Sequence, residues 1–94
     1  MKTTNYNYEV SKVLTLSTCH IKEDTALYLG SLPETVICFP KGEHGWFLYA
    51  GEYAEDPSVP ELRKLFEICK EQGCEWLCLD ADGPVRKELE TFDW

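Results

Sequence analysis

Residues 58–80 read SVPELRKLFEICKEQGCEWLCLD, and this stretch holds a helix and a strand in succession. Leu62, Leu65, Phe66 and Cys69 recur at helical spacing on one face, while Arg63, Lys64, Glu67, Lys70 and Glu71 lie on the other. Pro60 falls in the first turn, where its missing N–H costs least. Ser58 followed three residues later by Glu61 has the form of a capping box. Gly73 ends the helix. Trp76-Leu77-Cys78-Leu79 then reads as a strand, and it runs into Asp80-Ala81-Asp82-Gly83-Pro84, where Gly and Pro both interrupt a ladder.

Working outward, Thr35-Val36-Ile37-Cys38-Phe39 reads as a strand closed by Pro40, and Trp46 to Ala50 as its hairpin partner across the glycine-bearing stretch 41–45. Val13 to Ser17 gives a first strand that ends near Cys19 or His20. Thr25 to Leu29 gives a short helix, with Asp24 placed to cap it and Gly30 to stop it. Val85 to Leu89 has room for one helical turn. The order is β-α-β-β-α-β, an α+β fold. It predicts a four-stranded, mainly antiparallel sheet with two helices on one face, ferredoxin-like or a variant of it. A mixed sheet with another strand order is the alternative. Residues 1–11 read as a polar lead-in and 12–94 as one domain.

Composition narrows the function classes. The 94 residues carry a net charge of −8. Residues 1–50 hold four Lys against five acids, whereas residues 51–94 hold five basic groups against twelve acids. An acidic surface repels phosphate, so direct nucleic-acid binding is not expected. It suits a solvated face, a basic protein partner, or imitation of nucleic acid. No apolar run is long enough to span a membrane, and Met1 to Val10 lacks the apolar core of a secretory signal. The five cysteines, an odd number without framework spacing, are expected to be reduced, which places the protein in the cytoplasm.

Three segments carry a likeness to known sequences. They are Leu16-Ser17-Thr18-Cys19-His20-Ile21, Gly45-Trp46-Phe47, and Trp76-Leu77-Cys78-Leu79-Asp80 followed by Phe92-Asp93-Trp94. Over residues 13–94 the chain resembles a family of small uncharacterised bacterial domains, commonly carried on plasmids, phages and other mobile elements. The resemblance implies a cytoplasmic protein of unknown function and supplies no catalytic residues. Cys19 and Cys78 depart from the usual pattern of such proteins, which counts against cysteine chemistry.

Several constellations are candidates for chemistry. Asp80-x-Asp82-Gly83 at a strand end can hold a hard cation, or it can be a turn whose carboxylates accept backbone N–H groups. The EF-hand pattern fails, because the required Glu would fall at position 91, which is Thr. His20 with Asp80 or Asp82 would form an acid-base pair if the first and fourth strands were parallel. Cys19, His20 and Cys74 have ligand chemistry for zinc, but Cys78 stands about 13 Å further along the strand and no C-x-x-C pair exists, so no metal and no cofactor are expected. Cys19 is a better nucleophile candidate than Cys69, which sits on the apolar helix face.

The aromatic residues are the remaining signal. Along the third strand Trp46, Leu48 and Ala50 share one face, and Phe47 and Tyr49 the other. A sheet with helices on one side leaves its opposite face open, unless Phe92 and Trp94 fold back and seal it. Trp46, Tyr49, Trp76 and Trp94 are therefore the candidate binding residues. The reading favoured is a non-catalytic protein-interaction module that binds a protein partner or a second copy. A nucleic-acid-mimicking inhibitor is one alternative. An enzyme using His20, Asp80 and Asp82 is the other.

Overall fold

Val13–Ser17 (β1) opens the domain with alternating β-branched and aliphatic side chains, and a 3-10 turn over Thr18–His20 closes it. The computed structural model describes residues 8–94, so the first seven residues of the lead-in lie outside the described residues. Helix α1 follows at Glu23–Gly30, then β2 at Cys38–Pro40, β3 at Gly45–Tyr49, helix α2 at Pro60–Glu71 and β4 at Trp76–Asp80. The α+β class and the four-stranded sheet with two helices agree with the sequence reading. Val85–Leu89 makes only an isolated turn, closed by Leu89 N–H donating to the Arg86 carbonyl at 3.2 Å.

The sheet order is β1-β4-β3-β2. β2 pairs antiparallel with β3, as the hairpin predicts, and β3 pairs antiparallel with β4 although α2 lies between them in the chain. β1 and β4, however, are parallel, with Val13 opposite Trp76 and Ser17 opposite Asp80. The sheet is thus mixed, and this corrects the antiparallel β1–β4 pair of the ferredoxin-like reading. The cause lies in the connection after β3. Residues 50–59 carry the chain back across the sheet before α2 begins. A helix of 12 residues, about 18 Å long, then returns it to the end where β3 finished. Ala50 N–H donates to the Glu75 carbonyl there, at 2.7 Å. β4 therefore starts beside the last residue of β3 and runs back antiparallel to it, into the place between β3 and β1.

One core joins the layers. Leu16, Leu48, Leu77 and Leu79 from one face of the sheet pack with Ala26 and Leu29 of α1 and with Leu62, Leu65, Phe66 and Cys69 of α2. Burying one such large aliphatic or aromatic side chain contributes about 1.5–3 kcal/mol.

Helix α1 starts earlier than expected and is capped from elsewhere. Its flanking residue, Lys22, offers no side-chain cap, and Asp24 lies inside the first turn. The acceptor comes from α2: Glu61 Oε2 takes the Lys22 N–H at 3.1 Å and the Thr25 hydroxyl at 2.5 Å. Glu61 is thereby drawn away from its own helix start, where Val59 stands at the cap and no side chain accepts. The Ser58–Glu61 capping box does not form. Burial alone would push the Glu61 carboxyl up, but the bonds from Thr25 and Lys22 outweigh it and hold it below its ordinary 4.5.

Glu61→Ala should cost about 1–2 kcal/mol at pH 7, the usual worth of a helix cap, seen as a drop in midpoint by urea unfolding. A carboxylate held below its unfolded value stabilises the fold above about pH 4.5 and loses that contribution as pH falls through the folded value. The gap between variant and parent should therefore narrow at pH 3. A constant gap from pH 3 to pH 7 would show that packing, not the charge, carries the effect.

Candidate functional site

Strand alternation sorts the side chains into two faces. Leu14 and Leu16 of β1, Leu48 of β3, and Leu77 and Leu79 of β4 point to the helices. Val13, Thr15, Phe47, Tyr49, Trp76 and Cys78 point the other way, and Phe39 joins them through its register with Phe47. Trp76 is the centre of this second face. The Tyr49 ring meets it edge-on at 5.4 Å, and the Phe39 ring lies at 6.2 Å. Phe39 is 54% exposed, while Phe47, Tyr49 and Trp76 are half-buried. Cys78 sits beneath them, and burial pushes its thiol up. Tyr49 can fold its ring over the chain because residue 51 is Gly: a Cβ there would stand 2.5 Å from Tyr49 Oη.

The C-terminal segment takes another path, so Phe92 and Trp94 do not seal this face. Ser17 N–H donates to the Pro84 carbonyl at 2.8 Å, and Phe92 N–H to the Cys19 carbonyl at 2.8 Å. Leu89 packs on the core from outside β1. His20, only 2% exposed, pins this segment. Arg86 N–H donates to its Nε2 at 3.0 Å, so Nε2 is the acceptor and Nδ1–H donates to the Glu90 carbonyl at 2.9 Å. Both ring nitrogens are spent on backbone.

Parallel pairing does bring the ends of β1 and β4 to one end of the sheet, as an acid-base pair would need. There His20 faces the C-terminal segment, and no hydrogen bond joins it to Asp80 or Asp82. Asp80 Oδ2 pairs with Lys41 Nζ at 2.8 Å, and Oδ1 accepts the Asp82 N–H at 3.0 Å. The Lys41 bond and then the Asp82 N–H hold the Asp80 carboxyl below its usual range. Asp80-x-Asp82-Gly83 is a turn in this structure, closed by Gly83 N–H to the Asp80 carbonyl at 2.9 Å. Gly83 itself passes so close to β1 that a Cβ would lie 2.7 Å from the Leu16 carbonyl oxygen. The parallel pair also puts Cys19 and Cys74 at opposite ends of the sheet, not near each other as the antiparallel layout would have them. No three His, Cys, Asp or Glu side chains among the described residues come together as a metal site.

The four candidate binding residues divide into two pairs. Tyr49 and Trp76 lie on the open face. Trp46 lies on the helix side, where it and Trp94 border the same two surface cavities. Phe39 and Phe47 complete the open face and were not among the candidates. The hairpin was the available signal: once residues 41–45 are taken as its connection, Pro40 falls opposite Trp46 and Phe39 opposite Phe47.

Residues 13–94 match the model of a family described as a family of unknown function (DUF5983), C-terminal domain. That is most of the chain, and the chain belongs to this family. No curated protein and no solved structure matches it.

His20→Ala would leave the Arg86 N–H and the Glu90 carbonyl without partners. Each such orphaned group costs roughly 1–3 kcal/mol, so limited proteolysis should cut between residues 84 and 94 first in the variant. Equal cleavage of variant and parent would show that Leu89 packing alone holds the segment. Among the thiols, Cys69 should react last with a disulfide reagent at pH 8, because burial pushes it up to about 12. Cys19 and Cys38, partly exposed, should react first.

Proposed function

Starting from membership of a family without an assigned function, we propose that this chain is a non-catalytic protein-interaction domain that binds its partner through the uncovered aromatic face of the sheet. The observation that carries the reading is the Phe39–Trp76–Tyr49 cluster, half-buried to exposed, on the face opposite both helices. Large rigid aromatics supply contact area at small entropic cost and dominate interface hot spots. The residues proposed to bind are Tyr49 and Trp76, with Phe39 and Phe47.

The partner in this proposal is a different protein, and the contact is transient. Strands of three to five residues present far fewer side chains than the roughly 20–30 per partner of a standard interface. Two copies at −8 each also repel. Edge-to-edge pairing is disfavoured at β2, where Pro40 removes a donor.

The alternatives draw less support. Imitation of nucleic acid needs the acids of residues 52–75 to act together, yet Glu61 is spent on α1, and Asp56 pairs with Lys70 at 3.5 Å. An enzyme centred on His20 would need a ring nitrogen free of backbone. The resemblance adds a bacterial, mobile-element setting to the proposal. Five free thiols support a reducing compartment such as the cytoplasm.

Photo-cross-linking tests the proposal by position. Benzoylphenylalanine in place of Phe39 should give a discrete protein adduct in cells, and Trp76→Ala in the same chain should abolish it. The same group in place of Lys64, exposed on α2, should give none. Equal adducts at both positions, or none at 39, would overturn the reading. An adduct of twice the chain mass would replace the partner by a second copy.

A further inference from the structure

On the helix side, at the end of the sheet where β3 begins, Trp46 and Trp94 both border two adjoining cavities of about 310 and 550 Å³. Both indoles line each cavity, so the space is shared between them. Each indole is held in place. Trp46 is fixed by β3, opposite Leu79 on one side and Pro40 on the other. Trp94 is fixed by its Nε1–H, which donates to the Ile21 carbonyl at 2.9 Å.

The surroundings select a guest. Ala26, Leu27 and Gly30 of α1 line the larger cavity and give it an apolar floor. Glu23 lies at that cavity, Glu43 lies at the smaller one with His44 Nε2 3.8 Å from its carboxylate, and no Lys or Arg lines either. Next door, Lys22 Nζ already stands 5.8 Å from the centroid of Phe92, which itself lines the smaller cavity. Aromatic walls, an apolar floor and carboxylates at the mouths suit a positive charge on an alkyl stem.

We propose that the gap between Trp46 and Trp94 is a binding site for a lysine side chain of a partner protein. The site stands apart from the open sheet face and does not depend on the proposal made for that face. The net charge of −8 draws basic partners toward the domain, and the gap gives one of their side chains a defined seat. The methylenes lie along α1, and the ammonium rests between the indoles within reach of Glu23 or Glu43.

Titration of the labelled protein with acetyl-lysine-N-methylamide, followed through the indole N–H resonances, tests this. The signals of Trp46 and Trp94 should move and that of Trp76 should not. The norleucine counterpart has the same stem without the charge, and it should bind about tenfold more weakly. The double variant Glu23→Gln, Glu43→Gln should weaken lysine binding roughly fivefold and leave norleucine unaffected. Trp94→Leu should abolish the response while the dispersed amide spectrum shows the fold retained. Equal binding of lysine and norleucine would overturn the proposal. So would movement of Trp76 in place of Trp46 and Trp94, or no movement up to roughly 50 mM, well past the millimolar range of a single side chain.

Discussion

β4 is hydrogen-bonded along both edges, parallel to β1 on one side and antiparallel to β3 on the other. Its backbone groups find partners only if both neighbours are in register, and an unpaired buried amide costs more than a made one returns. Its side chains press on both layers at once. Leu77 and Leu79 are fully buried under the helices, and Trp76 and Cys78 face the aromatic cluster. A slip of one residue would exchange these two sets. The helix-side core and the open face are thus two outcomes of one register, and a change that disturbs one should be felt in the other.

A second dependence ties the helices together. Glu61 belongs to α2 but accepts the N–H of Lys22, which flanks α1, and the hydroxyl of Thr25 in its first turn. An eight-residue helix is too short to be stable alone in water, so α1 relies on α2 for its start as well as for its packing. His20 does the corresponding work for the C-terminal segment, using both nitrogens on backbone 66 and 70 residues away. In both cases a polar side chain that local sequence would assign to a nearby task is used at long range.

This explains what could be read from the sequence. Element type was legible wherever a hydrophobic period ran long enough, as in Leu62, Leu65, Phe66 and Cys69. The strand Trp76-Leu77-Cys78-Leu79 was legible too, from its apolar run between Gly73 and the Asp-Gly-Pro turn. Strand direction was not legible. It turns on whether residues 50–59 cross the sheet, and a polar loop carries no periodicity to show its path. The capping box failed for the same reason: S-x-x-E states what Glu61 can do locally, while Thr25 and Lys22, 36 and 39 residues away, decide what it does. Of the candidate site, the aromatic residue types were legible, but their grouping followed from topology. Tyr49 and Trp76 meet because β3 and β4 are neighbours, and Trp46 and Trp94 border the same cavities because the C-terminal segment, pinned by His20, runs to the helix side.

The two surfaces also differ in chemistry. The open face is a tilted aromatic cluster whose charged neighbours, Lys41 and Asp80, neutralise each other at 2.8 Å. Such a surface discriminates by shape and gains little from a partner's charge. The Trp46–Trp94 gap has the opposite character, with carboxylates at its mouths and no Lys or Arg lining it. A partner that met the open face alone would be held mainly by apolar contact and would bind with little dependence on salt. One that also placed a lysine in the gap would gain orientation, since the two surfaces lie on opposite sides of β3 and cannot both be met by a flat contact.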